Sequence, residues 1–282
     1  MILLTGATGT VGSATAAALQ AAGARFRVGS RSPVKAQSLG VPVVDFDWDR
    51  PATFEPAFTG ADQVFLLAPV SDKEPEYGTA AVAAARRAGV RHVVKLSVIG
   101  ADAVPGIAIA RLHRASERAI EQSGIAWTML RPTFFAQNFV NHYGVDPFKN
   151  GPVYLPHGQG AASWVDARDV GEVAARTLTE TGHEGKAYTL TGGEAVTTAD
   201  AIATLGEALG RHYEYVDVPD DAAREALRTM GAPEWMVEGF AELHALVKHG
   251  HAAGVAPAVG QLLGRPPRTF RQYAEDLAAG RA

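Results

Sequence analysis

Cysteine is absent from this chain of 282 residues. That removes disulfides, thiol nucleophiles and thiolate metal sites together. No apolar stretch reaches about 18 residues without a charge or a turn signal, so no membrane span is expected. An excess of positive charge is missing too: the net charge is −4, which favours neither nucleic acid nor an anionic surface. Aromatic residues make up only 8% and charged residues 20%, within the range of ordinary globular proteins. The chain opens inside an apolar run, which leaves no signal peptide in view. A cytoplasmic protein is the expectation.

What is present begins at residue 1. Met1 to Thr5 is a short apolar run, followed by Gly6, Gly9 and Gly12, and then an Ala-rich helical stretch. This order is strand, tight turn, helix. Gly6 permits the turn, Gly9 lets backbone approach a pyrophosphate, and Gly12 lets helix pack closely on strand. The helix start turns its unpaired N–H groups and partial positive charge toward phosphate. Gly6, Thr8, Gly9, Thr10, Val11 and Gly12 are therefore the expected pyrophosphate cradle.

Strand-like runs recur at 26–28, 41–46, 63–67, 92–96 and 126–130, with helical segments at 32–39, 74–88 and 109–123 between them. Gly89 and Gly124 stand where left-handed helix caps belong. Alternating β and α units imply an α/β fold, a Rossmann-like doubly wound parallel sheet covered on both faces. Beyond Pro132 the pattern loosens. Helices are expected at 169–178, 197–209 and 234–247, with Thr197 or Thr198 as N-cap of the second, and strand-like pieces at 187–190 and 213–218. The organisation read from this is a dinucleotide-binding domain over 1–150 and a smaller C-terminal α+β substrate lobe over 151–282, partly interleaved with the sheet.

An acid about 20 residues after the glycines grips the ribose hydroxyls in NAD sites. Strand two here ends in Arg31, with Lys35 one turn later. A guanidinium suits a 2′-phosphate, so the expected cofactor is NADP(H). By position, Asp47 and Trp48 lie where an adenine stacks, and Leu67, Ala68 and Pro69 where the ribose and pyrophosphate pass.

Taken together these stretches resemble the NmrA-like, atypical short-chain dehydrogenase/reductase family, and most of all its bacterial NAD(P)H-dependent quinone reductases. The resemblance is carried by Thr5 through Gly12, by Arg31-Ser32-Pro33, and by the run from Lys95 through Ser97 to Ala101. It continues in Ser123-Gly124, Leu130-Arg131-Pro132 and the run from Phe135 through Gln137 to Asn138. The run from Trp164 to Val170, and Leu263 to Arg268 with Phe270, complete it. Reductases of the wider superfamily carry Tyr-x-x-x-Lys on the helix before strand six. The aligned positions here are His113 and Glu117. Residues i and i+4 share a helix face, so these two are expected to meet, and a carboxylate beside an imidazole favours the imidazolium. His113, Glu117 and Ser97 are the candidate catalytic residues, with Ser97 also a contact to the nicotinamide ribose. Lys95 alternates with Ser97 on the same strand.

Phe134 and Phe135 follow strand six and are expected near the nicotinamide. Phe135, Gln137, Trp164, Trp235 and Phe240 are the expected substrate wall. No histidine shows metal-ligand spacing, and no serine sits in a nucleophile elbow. The implied activity is hydride transfer from NADPH to a planar, electron-poor small molecule such as a quinone, which tolerates the missing Tyr and Lys. The alternatives are a non-catalytic NADP(H)-sensing regulator, or a biosynthetic ketoreductase or isomerase with His113 in tyrosine's place. A monomer or homodimer is expected.

Overall fold

The computed structural model describes the backbone of all 282 residues and every side chain except those of Pro33 and Lys35. The chain divides into two compact units. The first is Met1–Pro132 with Ala167–Thr189; the second is Thr133–Asp166 with Leu190–Ala282. In chain order the elements are β1 (Ile2–Thr5), α1 (Thr10–Ala21), β2 (Phe26–Ser30), α2 (Pro33–Gln37), β3 (Val43–Asp45), α3 (Phe54–Phe58), β4 (Gln63–Leu66), α4 (Glu74–Arg87), β5 (His92–Leu96), α5 (Ala108–Glu121) and β6 (Ala126–Pro132). There follow α6 (Asn138–Asn141), β7 (Gly151–Leu155), β8 (Ala161–Ala162), α7 (Ala167–Thr179), β9 (Lys186–Leu190), β10 (Val196–Thr197), α8 (Thr198–Leu209), β11 (Tyr213–Asp217), α9 (Asp220–Thr229), α10 (Glu234–Lys248), α11 (Ala258–Leu263) and α12 (Phe270–Ala278).

Seven strands form the main sheet in the order β3-β2-β1-β4-β5-β6-β9. The pairs β1–β2, β2–β3, β1–β4, β4–β5 and β5–β6 are all parallel, with Leu4 opposite both Val28 and Phe65. All four residues of β1 are buried, as a strand covered on both faces requires. The chain runs outward from β1 to β3 and then starts again at β4, so the strand order reverses between β1 and β4. In open α/β sheets, ligands bind outside the carboxyl ends of the strands at such a point. Leu3, Phe54, Phe58, Val64, Val93, Ile120 and Met129 belong to one buried core of this unit.

The sequence places the boundary at 150, with the second lobe partly interleaved with the sheet. The first unit instead breaks off at Pro132 and takes back Ala167–Thr189. The reason is the buried face of α7, which carries Val170, Gly171, Val173 and Ala174. Added at Gly171, a Cβ would stand 2.6 Å from the Ala14 carbonyl carbon of α1, so only glycine permits this close crossing.

In the second unit, β11 runs parallel to β7 and β10 antiparallel to β8. Its core includes Phe139, Trp164, Ile202, Leu205, Phe270 and Tyr273. Thr197 caps α8 by accepting from the Asp200 N–H at 3.0 Å, as its position predicts. Thr269 and Gln272 form a capping box on α12. Among the described residues no helix is long and apolar enough to cross a membrane.

Candidate active site

The glycine turn between β1 and α1 takes the form its sequence dictates. Gly6 has φ +68°, and its carbonyl accepts from the Gly9 N–H at 3.0 Å. At Gly12 a Cβ would lie 2.0 Å from the Gly6 oxygen, so this glycine is what lets α1 start so close to the turn. Gly9 is different: a Cβ there would meet only the Gly6 oxygen, at 3.5 Å, and otherwise open space. Gly9 is also the N-cap of α1, and no side chain caps the helix. Thr8, Gly9 and Thr10 are exposed, while Val11 and Gly12 are buried. Thr5 joins the turn to the next loop: its hydroxyl donates to the Phe65 carbonyl at 2.9 Å and accepts from the Leu67 N–H at 2.9 Å. Leu67 thereby packs against the turn, its Cδ2 2.8 Å from where a Gly6 Cβ would stand, and Ala68 and Pro69 follow it in the chain. This is an open, uncapped helix start at the switch point of a parallel sheet, and it fits a dinucleotide pyrophosphate.

Beyond β2, Arg31 is exposed. Lys35, the second expected cation, lies outside the described side chains. Asp47 follows β3, and its carboxyl is held below the ordinary carboxylate range, chiefly by the hydrogen bond from Arg50 at 3.0 Å and in small part by the Arg31 charge. Arg50 also reaches Asp45 at 2.9 Å. An acid therefore does stand near Arg31, supplied by the third strand, with its charge answered mainly by Arg50. Trp48 is half-buried, with its ring 5.0 Å from Phe46, 5.5 Å from Phe54 and 5.6 Å from Tyr77. It is an anchored ring at the edge of the core.

The expected pairing of His113 with Glu117 is not what the structure holds. Glu117 is fully buried and receives a two-pronged contact from Arg131, Nε to Oε1 at 2.9 Å and Nη2 to Oε2 at 2.8 Å. Arg114 adds a third bond at 3.0 Å. Burial alone would raise the Glu117 carboxyl, but these bonds outweigh it and keep the group ionised. Arg131 reaches on to Asp102 at 2.6 Å. Glu117 is committed to this network, so the catalytic role expected of it is corrected to that of a buried counter-ion.

His113 turns instead to Lys95 and Glu74. Its Nδ1 is 3.3 Å from Lys95 Nζ and 3.6 Å from Glu74 Oε1. Burial, and then the Lys95 cation, push its pKa well below the ordinary histidine value. The expected imidazolium is therefore corrected to a neutral imidazole. Ser97 is buried just past β5, its N–H donating to the Leu130 carbonyl at 2.7 Å. Its hydroxyl lies near enough to Glu117 to help keep that carboxyl low, yet makes no well-aligned hydrogen bond among the described residues.

The remaining predicted residues lie in the second unit. Phe134 and Trp164 are buried core, their rings 5.8 Å apart, and the Trp164 indole N–H donates to the Val196 carbonyl at 2.9 Å. Trp164 is spent on packing, which corrects its assignment to the substrate wall. Gln137 is buried, with its amide donating to Asp166 at 3.0 Å. Phe135 is half-buried and bridges Val165. On α10, Trp235 and Phe240 are also half-buried. Two residues of these networks carry no site role that the sequence alone assigns: Arg131, and Glu74, the partner of Lys95. Glu74 lies 21 residues from Lys95, so no local spacing links the two. Among the described residues no group of His, Asp and Glu could hold a metal ion.

The sheet order and the glycine turn with no side-chain cap define a Rossmann-type dinucleotide-binding scaffold. Comparison with known proteins agrees: the profile of the NmrA-like family matches residues 1–273. The chain belongs to that family. It is 38% identical over 282 residues to an NAD(P)H azoreductase of Xenophilus azovorans, covering 99% of this chain and 98% of the relative. An NADPH-dependent quinone oxidoreductase from Escherichia coli, solved with NADPH, superposes with TM-score 0.85 at 26% identity, covering 98% of this chain and 99% of that one. A Citrobacter triphenylmethane reductase, solved with NADP(H), gives TM-score 0.81 at 25% identity, covering 98% and 99%.

Proposed function

We propose that this NAD(P)H-dependent oxidoreductase passes hydride from NADPH to a planar, electron-poor acceptor such as a quinone. The observation that carries the reading is the open space over Gly9 at an uncapped helix start, on the switch point of the sheet. Backbone N–H groups at the start of α1 would hold the pyrophosphate, the Gly9 N–H being spent on the Gly6 carbonyl, and Arg31 would take the 2′-phosphate. Asp47 and Trp48 flank the adenine, Leu67, Ala68 and Pro69 the ribose path, and Ser97 the nicotinamide ribose. When bound, NADPH supplies the hydride. The chain's own work is orientation: a quinone takes hydride readily and leaves a weakly basic oxyanion, so correct placement outweighs a strong acid. The azo, quinone and triphenylmethane compounds named for its relatives share flat, conjugated, electron-poor centres, which supports this acceptor class.

The test is NADPH oxidation by purified protein across quinones, azo dyes and simple ketones, with a binding titration in parallel. Turnover on the flat conjugated acceptors and little on simple ketones is expected. Tight NADPH binding with no turnover on any acceptor would overturn the reading.

A further inference from the structure

Three titratable side chains meet inside the first unit where α4, β5 and α5 pack. Lys95 and Glu74 are each only 3% exposed, while His113 is 17% exposed. Lys95 Nζ contacts Glu74 Oε1 at 2.5 Å, the Leu96 carbonyl at 3.2 Å and His113 Nδ1 at 3.3 Å. An ammonium carries three N–H donors and no acceptor. All three are therefore engaged, and His113 Nδ1 must be the accepting nitrogen. The ring proton then belongs on Nε2, which has no hydrogen-bond partner among the described residues. The packing fixes the group from behind as well. Ser116 donates to the Glu74 carbonyl at 2.7 Å, and a Cβ at Gly78 would lie 2.3 Å from the Ser116 hydroxyl, so α4 and α5 cross closely at this point. Lys95 stands two residues before Ser97, at the carboxyl end of β5, the end at which open α/β sheets bind ligands.

We propose that Lys95, seated on Glu74, is a positioning residue that holds His113 as its Nε2–H tautomer, and that His113 Nε2 gives this proton to the acceptor once the acceptor has been reduced. The inference rests on the hydride-transfer reading and adds a proton source to it. The step balances. The reduced acceptor carries a lone pair and negative charge on nitrogen or oxygen. A bond forms from that atom to the Nε2 proton as the Nε2–H bond breaks. A Lys95 N–H passes its proton to Nδ1, leaving a neutral amine that still donates to Glu74, and water returns the proton afterwards. Histidine and lysine exchange protons only; no electrons leave or enter them. A quinone gains little from this device, whereas an azo bond, whose reduction leaves a basic nitrogen anion, depends on it.

The experiment has two arms. In the first, the imidazole nitrogens of His113 are read by 15N NMR without cofactor. The wild type should show the Nε2–H tautomer alone, and Lys95→Met should show a mixture. In the second arm, kcat and KM are measured with NADPH and either an azo dye or a quinone. Lys95→Met and His113→Phe should lower kcat on the azo dye by about 10²–10⁴-fold. KM and NADPH affinity should change less than about twofold, and the loss on the quinone should stay below about tenfold. Lys95→Met leaves the buried Glu74 unpaired, so Lys95→Met combined with Glu74→Gln serves as the folded control and should behave alike. An Nδ1–H tautomer in the wild type, or equal losses on both acceptors, would overturn the proposal while leaving the hydride reading intact. Absence of turnover on both acceptors would overturn both.

Discussion

Gly9 and Gly12 stand three residues apart in one turn, yet side chains at the two should fail in opposite ways. In Gly12→Ala the new Cβ would lie 2.0 Å from the Gly6 oxygen, 2.6 Å from its carbonyl carbon and 2.8 Å from the Ala7 Cα. Every one of these atoms is backbone, so no side chain can swing aside and α1 must lift from the turn. Overpacking costs about 1–3 kcal/mol in general, and a clash with rigid backbone belongs at the top of that range. A loss of about 3 kcal/mol corresponds to a fall in Tm of roughly 6–12 °C in a domain of this size. In Gly9→Val the Cβ meets only the Gly6 oxygen at 3.5 Å, and φ of −91° with ψ of 173° is extended backbone that suits a β-branched residue. The folding cost is that of a poorer N-cap, about 1 kcal/mol. The side chain, however, fills the space assigned to the pyrophosphate. Thermal unfolding and NADPH titration, run side by side, separate the outcomes: Gly12→Ala loses stability, whereas Gly9→Val stays folded and does not bind. A Gly9→Val protein that binds NADPH as the wild type does would refute the placement of the dinucleotide.

Three further outcomes follow from other sites. Arg31→Ala should weaken NADPH by about 1–3 kcal/mol and leave NADH nearly unchanged, measured by calorimetry; equal losses for both cofactors would count against a 2′-phosphate contact. Arg131→Met strands the fully buried Glu117 carboxylate with Arg114 as its remaining partner. It should cost about 3–5 kcal/mol in denaturant unfolding, and Arg131→Met with Glu117→Met should recover much of that. In the second unit, His157 bonds Thr198 and His244, each at 2.8 Å. Burial and then the His244 charge bring His157 down to about 3, and burial brings His244 down to about 4. Both values lie below the unfolded value near 6.5, so the unfolded chain binds more protons between those limits. Stability is full above about pH 6.5 and is lost as pH falls toward 3. Acid unfolding followed by tryptophan fluorescence should show this, and His157→Asn should flatten the pH profile; an unchanged profile would refute it.

Local chemistry made the first half of this molecule legible. The turn from Gly6 to Gly12 needs three glycines for three separate steric reasons, and the apolar run before it and helix after it declare themselves by period. Thr197 was readable as an N-cap because a cap acts over three residues. What escaped depends on partners distant in sequence. α3, Phe54–Phe58, is a five-residue helix with a proline inside, too short for a helical period to mark it. It exists because Phe54 and Phe58 pack on Phe46 at 4.8 and 5.8 Å. The i,i+4 spacing of His113 and Glu117 correctly gave two residues on one helix, but a guanidinium from β6 and an ammonium from β5 each offered a stronger partner. Trp164 is the ordinary ambiguity of aromatic residues: a pocket wall and a core residue look the same until packing decides.

The central claim, that this glycine turn seats NADPH for hydride transfer, is tested most directly by one comparison. The rate of NADPH oxidation with a quinone is measured for the wild type and for folded Gly9→Val protein under identical conditions. The account predicts steady turnover by the wild type and a rate indistinguishable from background for the variant. Equal rates for the two, or no rate for a wild type that binds NADPH tightly, would contradict it.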